Sequence, residues 1–265
     1  MNTQLPIVVS LTSIQSRLEY VSKVIDSILN QSLKADRVLL WLSEDSHLLD
    51  QGVKEVPERL RELESLGLEI HWTKNTGPYR KLIPTAKLMN KENCLIVTAD
   101  DDVIYPENWL ERLVGEYQKN KDCVICYRGR IMSHEENTLR KLISRSKLKP
   151  YGKWTRTHEV KDKNELGPSL NIFPTGKDGV LYPSDRLHEE LFNKSIYLDM
   201  VPTNDDIWFK AMTLITNTKV KCIEDHKDFS EIEETREATL FRLGGNRKKN
   251  DRMIHEVFAR YNLLP

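Results

Sequence analysis

Three consecutive aspartates, Asp100-Asp101-Asp102, stand directly after the apolar run Cys94-Leu-Ile-Val-Thr98. Like charges repel and burial disfavours each of them, so a triplet at the end of a buried strand calls for a counter-charge. A divalent cation supplies it. Oxygen ligands of this kind suit magnesium or manganese, and both ions commonly complete their shells with nucleotide phosphates. The bland alternative is a solvated turn or a cap on the helix that follows. A second acidic pair, Asp205-Asp206, opens another helical pattern after Asn204. One of its carboxylates can act as a general base on a hydroxyl, or can cap that helix.

The elements that must position these groups alternate in type. Ile7–Leu11, Val38–Leu42, Leu68–Trp72, Cys94–Thr98 and Cys123–Tyr127 read as strands. Between them Leu18, Val21, Val24, Ile25, Ile28 and Leu29 fall at helical spacing, with Ser13 as a plausible cap. Helical patterns also span roughly Pro57 to Leu66, Pro84 to Met89, Trp109 to Tyr117, Ser184 to Phe192, Asp205 to Met212 and Asn250 to Tyr261. Asn171 to Pro183 reads as a loop-rich stretch, and Lys219–Ile223 as a last strand. Strand and helix alternation of this kind predicts an α/β fold with a mainly parallel central sheet flanked by helices. The carboxyl edge of such a sheet is where ligands bind, and the aspartate triplet falls there.

The 265 residues carry 40 basic and 40 acidic side chains, so global charge gives no reason to expect nucleic acid. Four cysteines do not make a disulfide scaffold, and Cys123 and Cys126 are expected buried and reduced. No signal segment is evident at the start and no run reaches about 18 apolar residues. The expected location is therefore cytoplasmic. From Asn137 to His158 acidic residues are absent, while Arg140, Lys141, Arg145, Lys147, Lys149, Lys153 and Arg156 all occur. With Leu142, Ile143, Leu148, Tyr151 and Trp154 interleaved, Arg140 to Arg156 reads either as a peripheral contact to the inner face of the plasma membrane or as a solvated polar insertion.

The run Thr98-Ala-Asp-Asp-Asp-Val-Ile-Tyr-Pro-Glu-Asn-Trp109 resembles the D-x-D strand end of family 2 glycosyltransferases of bacterial surface-polysaccharide synthesis, capsule and lipopolysaccharide included. Ser27-Ile-Leu-Asn-Gln-Ser-Leu-Lys34 resembles the S-L-L-N-Q-T exit of their first helix. The resemblance implies a GT-A fold in a single domain over 1–265, with a nucleotide-binding half at 1–130 and an acceptor-binding half at 131–265. It places Asp100 at the nucleotide ribose, Asp102 on Mn2+ or Mg2+, and Asp101 beside one or the other, with Asp100 a second metal ligand.

The same resemblance gives roles to the remaining candidates. Thr12 stands where the family makes its first nucleotide contacts, although Leu11-Thr-Ser-Ile-Gln15 replaces the usual P-x-Y-N. Glu44 and Asp45 fall near the acidic pair that reads the base, in Leu42-Ser-Glu-Asp-Ser46 rather than D-D-G-S. Lys81, or its neighbour Arg80, lies where a cation meets the base or diphosphate. Asp206 is the first candidate for general base and Asp205 the second. Gly179 belongs to a glycine-bearing loop, Thr175 to Val180, that shapes the sugar pockets; Trp208 stacks on a sugar or is buried; His226 is a candidate late metal ligand.

These features imply metal-dependent, inverting transfer from a nucleotide sugar, UDP-sugar before GDP-sugar, to a saccharide or lipid-linked saccharide. A nucleotidyltransferase acting on a sugar phosphate also uses paired aspartates, but it needs a glycine-rich loop after the first strand, and Ser10-Leu-Thr-Ser-Ile14 has no glycine. A non-catalytic glycan-binding protein on the same fold would need neither acidic site.

Overall fold

The computed structural model describes residues 5–48, 50–89, 92–135, 147–224, 229–238 and 247–263. The strands are β1 (Ile7–Thr12), β2 (Arg37–Leu42), β3 (Leu68–Trp72), β4 (Leu95–Thr98), β5 (Val103–Ile104), β6 (Val124–Cys126), β7 (Gly129–Ile131), β8 (Thr155–Arg156), β9 (Ile172–Pro174), β10 (Val180–Pro183), β11 (Val220–Cys222) and β12 (Ser230–Glu231). The helices are α1 (Leu18–Leu29), α2 (Glu58–Glu64), α3 (Ile83–Leu88), α4 (Trp109–Lys119), α5 (Lys194–Met200), α6 (Asp205–Ile215) and α7 (Arg247–Arg260).

Among the described residues, seven strands form one sheet in the order β11-β6-β10-β4-β1-β2-β3. Its neighbours run parallel except at β10, which is antiparallel to both β4 and β6. Side chains alternate across the strands, so the sheet builds two cores. Val8, Leu39, Ile96 and Cys126 join α6 and α7 on one face. Val9, Leu40, Val97 and Ile125 join α1, α2 and α4 on the other. Truncating one of these fully buried aliphatics to alanine costs about 2–5 kcal/mol.

Three expectations are corrected. The stretch read as loop-rich contains β9 and β10, and β10 is an interior strand of the sheet, between β6 and β4. Ser184 to Phe192 is not a helix but two 3-10 turns, Ser184–Arg186 and Glu189–Phe192. Ser13 does not cap α1, which starts only after a 3-10 turn at Gln15–Arg17.

The four cysteines are buried and unpaired, with Cys126 and Cys222 adjacent in the β6/β11 register. Of the basic segment, Arg140, Lys141, Leu142, Ile143 and Arg145 lie outside the described residues. In its described part Trp154 is buried, Leu148 and Tyr151 pack against the same core, and Trp154 lies 5.6 Å from the Phe173 ring. These apolar side chains face inward and leave Lys153 and Arg156 on the surface. Among the described residues no helix is long and apolar enough to cross a membrane.

Candidate active site

The parallel register pairs Ser10 of β1 with Thr98 of β4. Carried three residues further, that register brings Ser13 against Asp101. Ser13 Oγ donates to Asp101 Oδ2 at 2.6 Å and the Arg17 guanidinium binds Asp101 Oδ1. Both oxygens of the buried Asp101 are thus held by the protein. Its neighbours keep their side chains about a quarter exposed, Asp100 at 27% and Asp102 at 26%. Arg17 reaches Asp102 only at 3.5 Å. Burial, Asp100 and Asp101 push the Asp102 carboxyl up to about 7, against the pull of Arg17.

Asp100 is fixed from behind. Its backbone N–H donates to Tyr105 Oη at 2.8 Å, and Tyr105 packs on Trp109 at 4.2 Å between ring centroids. In front of it, Lys81 Nζ lies 3.1 Å from Asp100 Oδ1 and 3.1 Å from Asp205 Oδ2. Lys81 is 7% exposed and its ammonium stays charged, because Asp100, Asp205 and Asp206 outweigh the cost of burial. The two acidic clusters therefore meet across one lysine.

Asp205 and Asp206 occupy the first turn of α6, where the helix N-terminus favours negative charge. Asp206 Oδ1 accepts from the Gly176 N–H at 2.9 Å. A Cβ on Gly176 would sit 2.6 Å from Lys81 Nζ and 3.1 Å from Asp206 Oδ1, so a larger residue would have to displace the lysine from its carboxylates. Burial and Asp205 push the Asp206 carboxyl up to about 8.

Other sequence candidates fall around this centre. Thr12 Oγ1 donates to the Trp41 carbonyl at 2.7 Å. Glu44 is exposed, and Asp45 faces Lys74 at 3.4 Å. Arg80 is only 1% exposed and pairs with Asp50 at 2.8 Å, which makes it a buried strut behind the β1 and β2 ends. Gly179 (φ 103°) lies against the Trp109 indole, where a Cβ would come within 2.6 Å. Trp208 is fully buried and donates to the Leu191 carbonyl, so the stacking alternative is not realised. His226 lies outside the described residues.

Sequence reasoning missed Ser13, Arg17, Asp50, Asp178 and the segment beyond Phe229. Strand β12 pairs with β5, the Ile232 N–H donates to the Asp102 carbonyl at 2.9 Å, and Arg17 Nη2 donates to the Thr235 carbonyl at 3.2 Å. Lys177 pairs with Glu231. This strap lies along the aspartate cluster. The register offset between β1 and β4 was the available signal for Ser13; nothing local announces the others.

Among the described residues no three His, Cys, Asp or Glu side chains form a ready metal cage. Asp100 and Asp102 still offer a fitting donor set. They are hard oxygen ligands, partly exposed, and too few to fill a shell, which is how magnesium-type sites leave room for phosphate oxygens. The charge fits as well: the five carboxylates of Asp100, Asp101, Asp102, Asp205 and Asp206 are met by the two cations Arg17 and Lys81, and Asp102 is held only by Arg17 at 3.5 Å.

Among solved structures the chain is similar to S. aureus TarS. For the 1-349 segment in complex with UDP the TM-score is 0.49 at 12% identity, covering 97% of this chain and 72% of that one. For longer TarS the TM-score is 0.48 at 11% identity, and this chain spans only 43% of that chain. A 4-diphosphocytidyl-2C-methyl-D-erythritol synthase gives a TM-score of 0.41 at 10% identity, over 74% of this chain and 85% of that one. No curated protein matches the sequence. Residues 12–177, well over half of the chain and inclusive of the aspartate triplet and Gly176, match glycosyl transferase family 2. By that match and by its mainly parallel, helix-flanked sheet of GT-A type, the chain belongs to glycosyl transferase family 2.

Proposed function

We propose that the chain transfers a sugar from a nucleotide-sugar donor, a UDP-sugar first, to a saccharide or lipid-linked saccharide in bacterial surface glycan synthesis, by a single displacement with inversion. The observation that supports this most is Lys81, whose ammonium lies 3.1 Å from both Asp100 and Asp205. Displacement at an anomeric carbon needs stabilised charge on the leaving side and a proton acceptor on the entering side, a few ångströms apart. Asp100, Asp102 and Lys81 form the first site, and Asp206 the second.

Manganese or magnesium held by Asp100 and Asp102 would supply charge neutralisation for the departing diphosphate. Lys81 adds a fixed positive charge from the protein, preorganised because both its anionic neighbours hold it. Asp206 accepts the acceptor hydroxyl proton on a carboxylate oriented by the Gly176 N–H. Asp205, held to Lys81, keeps the first turn of α6 in register with the donor side. Asp101 orients the triplet through Ser13 and Arg17.

The test is a donor-hydrolysis and transfer screen with Asp102→Ala and Asp206→Ala as controls. Release of a nucleoside diphosphate that depends on manganese or magnesium and is lost in both variants is the expected result. Turnover that survives both substitutions, or release of pyrophosphate instead, overturns the assignment.

A further inference from the structure

The loop between β9 and β10 carries a carboxylate that the reaction outlined above does not use. Asp178 is 4% exposed; its Oδ2 lies 3.4 Å from Arg128 Nε, and its Oδ1 is buried with no hydrogen-bond partner among the described residues. Leaving a buried charged acceptor unsatisfied is costly, which marks the position as one that waits for a donor. The backbone around it is fixed. Asp178 takes a left-handed conformation (φ 71°), its carbonyl accepts from Trp109 Nε1 at 2.8 Å, and the Gly179 N–H donates to the Gly176 carbonyl at 3.1 Å.

The sheet register gives its place. Val180 pairs with Thr98 of β4 and with Cys126 of β6, both antiparallel. Two residues further out, the same registers set Asp178 across from Asp100 on one side and Arg128 on the other. Within the same loop, Gly176 touches Lys81 and donates to Asp206, while Lys177 turns away to Glu231. Asp178 thus sits beside Asp100 and Arg128, on the same loop whose Gly176 N–H reaches Asp206, so a sugar held between the two acidic sites would meet this loop. The Arg128 guanidinium beside it disfavours a metal ion there, and an acceptor-only carboxylate is matched by an O–H donor.

We propose that Asp178 is a specificity-determining residue whose free oxygen accepts a hydrogen bond from a hydroxyl of the donor sugar. This rests on the glycosyl-transfer reading of the same site. The experiment measures, by calorimetry with the full chain in manganese, the affinities of UDP, GDP and a panel of their sugar nucleotides for wild type and Asp178→Asn. For the sugar nucleotide that binds wild type, the ratio of its Kd to that of the bare diphosphate should rise about tenfold in Asp178→Asn, with diphosphate affinity unchanged. A donor deoxygenated at the contacted hydroxyl should lose that factor on wild type and nothing on the variant. An unchanged ratio, or an equal loss for diphosphate and sugar nucleotide, overturns the inference while leaving the transferase reading intact. A wild-type chain that binds no diphosphate or sugar nucleotide overturns both.

Discussion

Lys81 holds Asp205 at the same 3.1 Å at which it holds Asp100, so one ammonium joins the end of β4 to the start of α6. Lys81→Met is expected to leave two carboxylates facing each other without a counter-charge, at a cost of roughly 3–5 kcal/mol in folding stability. Transfer should fall by about 10²–10³, as when a preorganised stabilising group is removed. Urea unfolding and steady-state kinetics on the same preparation check the pair of effects. A variant as stable and active as wild type contradicts the bridging role.

The acid limb of the pH–rate profile should lie far above the usual carboxylate range. Asp206 must be ionised to accept a proton, and burial with Asp205 pushes its carboxyl up to about 8. Below that value kcat/KM should decline about tenfold per pH unit. A profile that stays flat down to about pH 5 excludes Asp206 as the base.

For Asp102 the sign of the stability effect is opposite to that of a salt-bridged aspartate. Its folded value, about 7, lies above the ordinary 3.8, so the folded state holds its proton longer than the unfolded chain does. That contribution is fully present in acid and is lost as pH rises through about 7. Without metal, the melting temperature should drop between about pH 5 and pH 8, and Asp102→Asn should flatten the drop and melt higher at pH 8. Manganese at about a hundred times its Kd should add roughly 2.7 kcal/mol to wild type and far less to the variant. Differential scanning fluorimetry with and without chelator reads all four conditions.

Gly179→Ala meets two obstacles at once, a φ of 103° and the Trp109 indole 2.6 Å from the new Cβ. A loss of about 2–4 kcal/mol is expected, together with a shift in tryptophan fluorescence as the Trp109 bond to the Asp178 carbonyl loosens. An unchanged urea midpoint contradicts this packing.

The parallel half of the fold was legible because Ile7–Leu11, Val38–Leu42 and Cys94–Thr98 are predominantly apolar runs, broken only by the hydroxyls of Ser10 and Thr98, each followed by helical spacing. The second half was not. In β10 only three residues, Val180 to Tyr182, sit between Gly179 and the strand's own Pro183, and that punctuation outweighs so short a run. The 3-10 turns at Ser184 to Phe192 imitate a helix in composition but never complete two turns. At the site, the aspartates announced themselves by type and position. Arg17 and Asp50 did not, because each meets its partner far along the chain, Asp101 and Arg80 respectively, and isolated charged residues in polar stretches look the same whether buried or solvated. The Arg80 pairing with Asp50 is hidden in the sequence for the same reason. Its neighbour in sequence reaches the site while Arg80 itself turns to Asp50.

The strap beyond Phe229 bears on how the molecule is made. The hydrogen bond from Arg17 to Thr235 closes a loop of 218 residues, and the Ile232 N–H reaches back to Asp102. During synthesis, β1, α1 and β2 can find one another as soon as they emerge, and β4 can join β1 well before the strap is made. The aspartate cluster cannot be finished until the segment carrying Ile232 and Thr235 has left the ribosome, and loop-closure entropy must then be met by few contacts. The acidic centre therefore matures after the sheet pairings on which it stands.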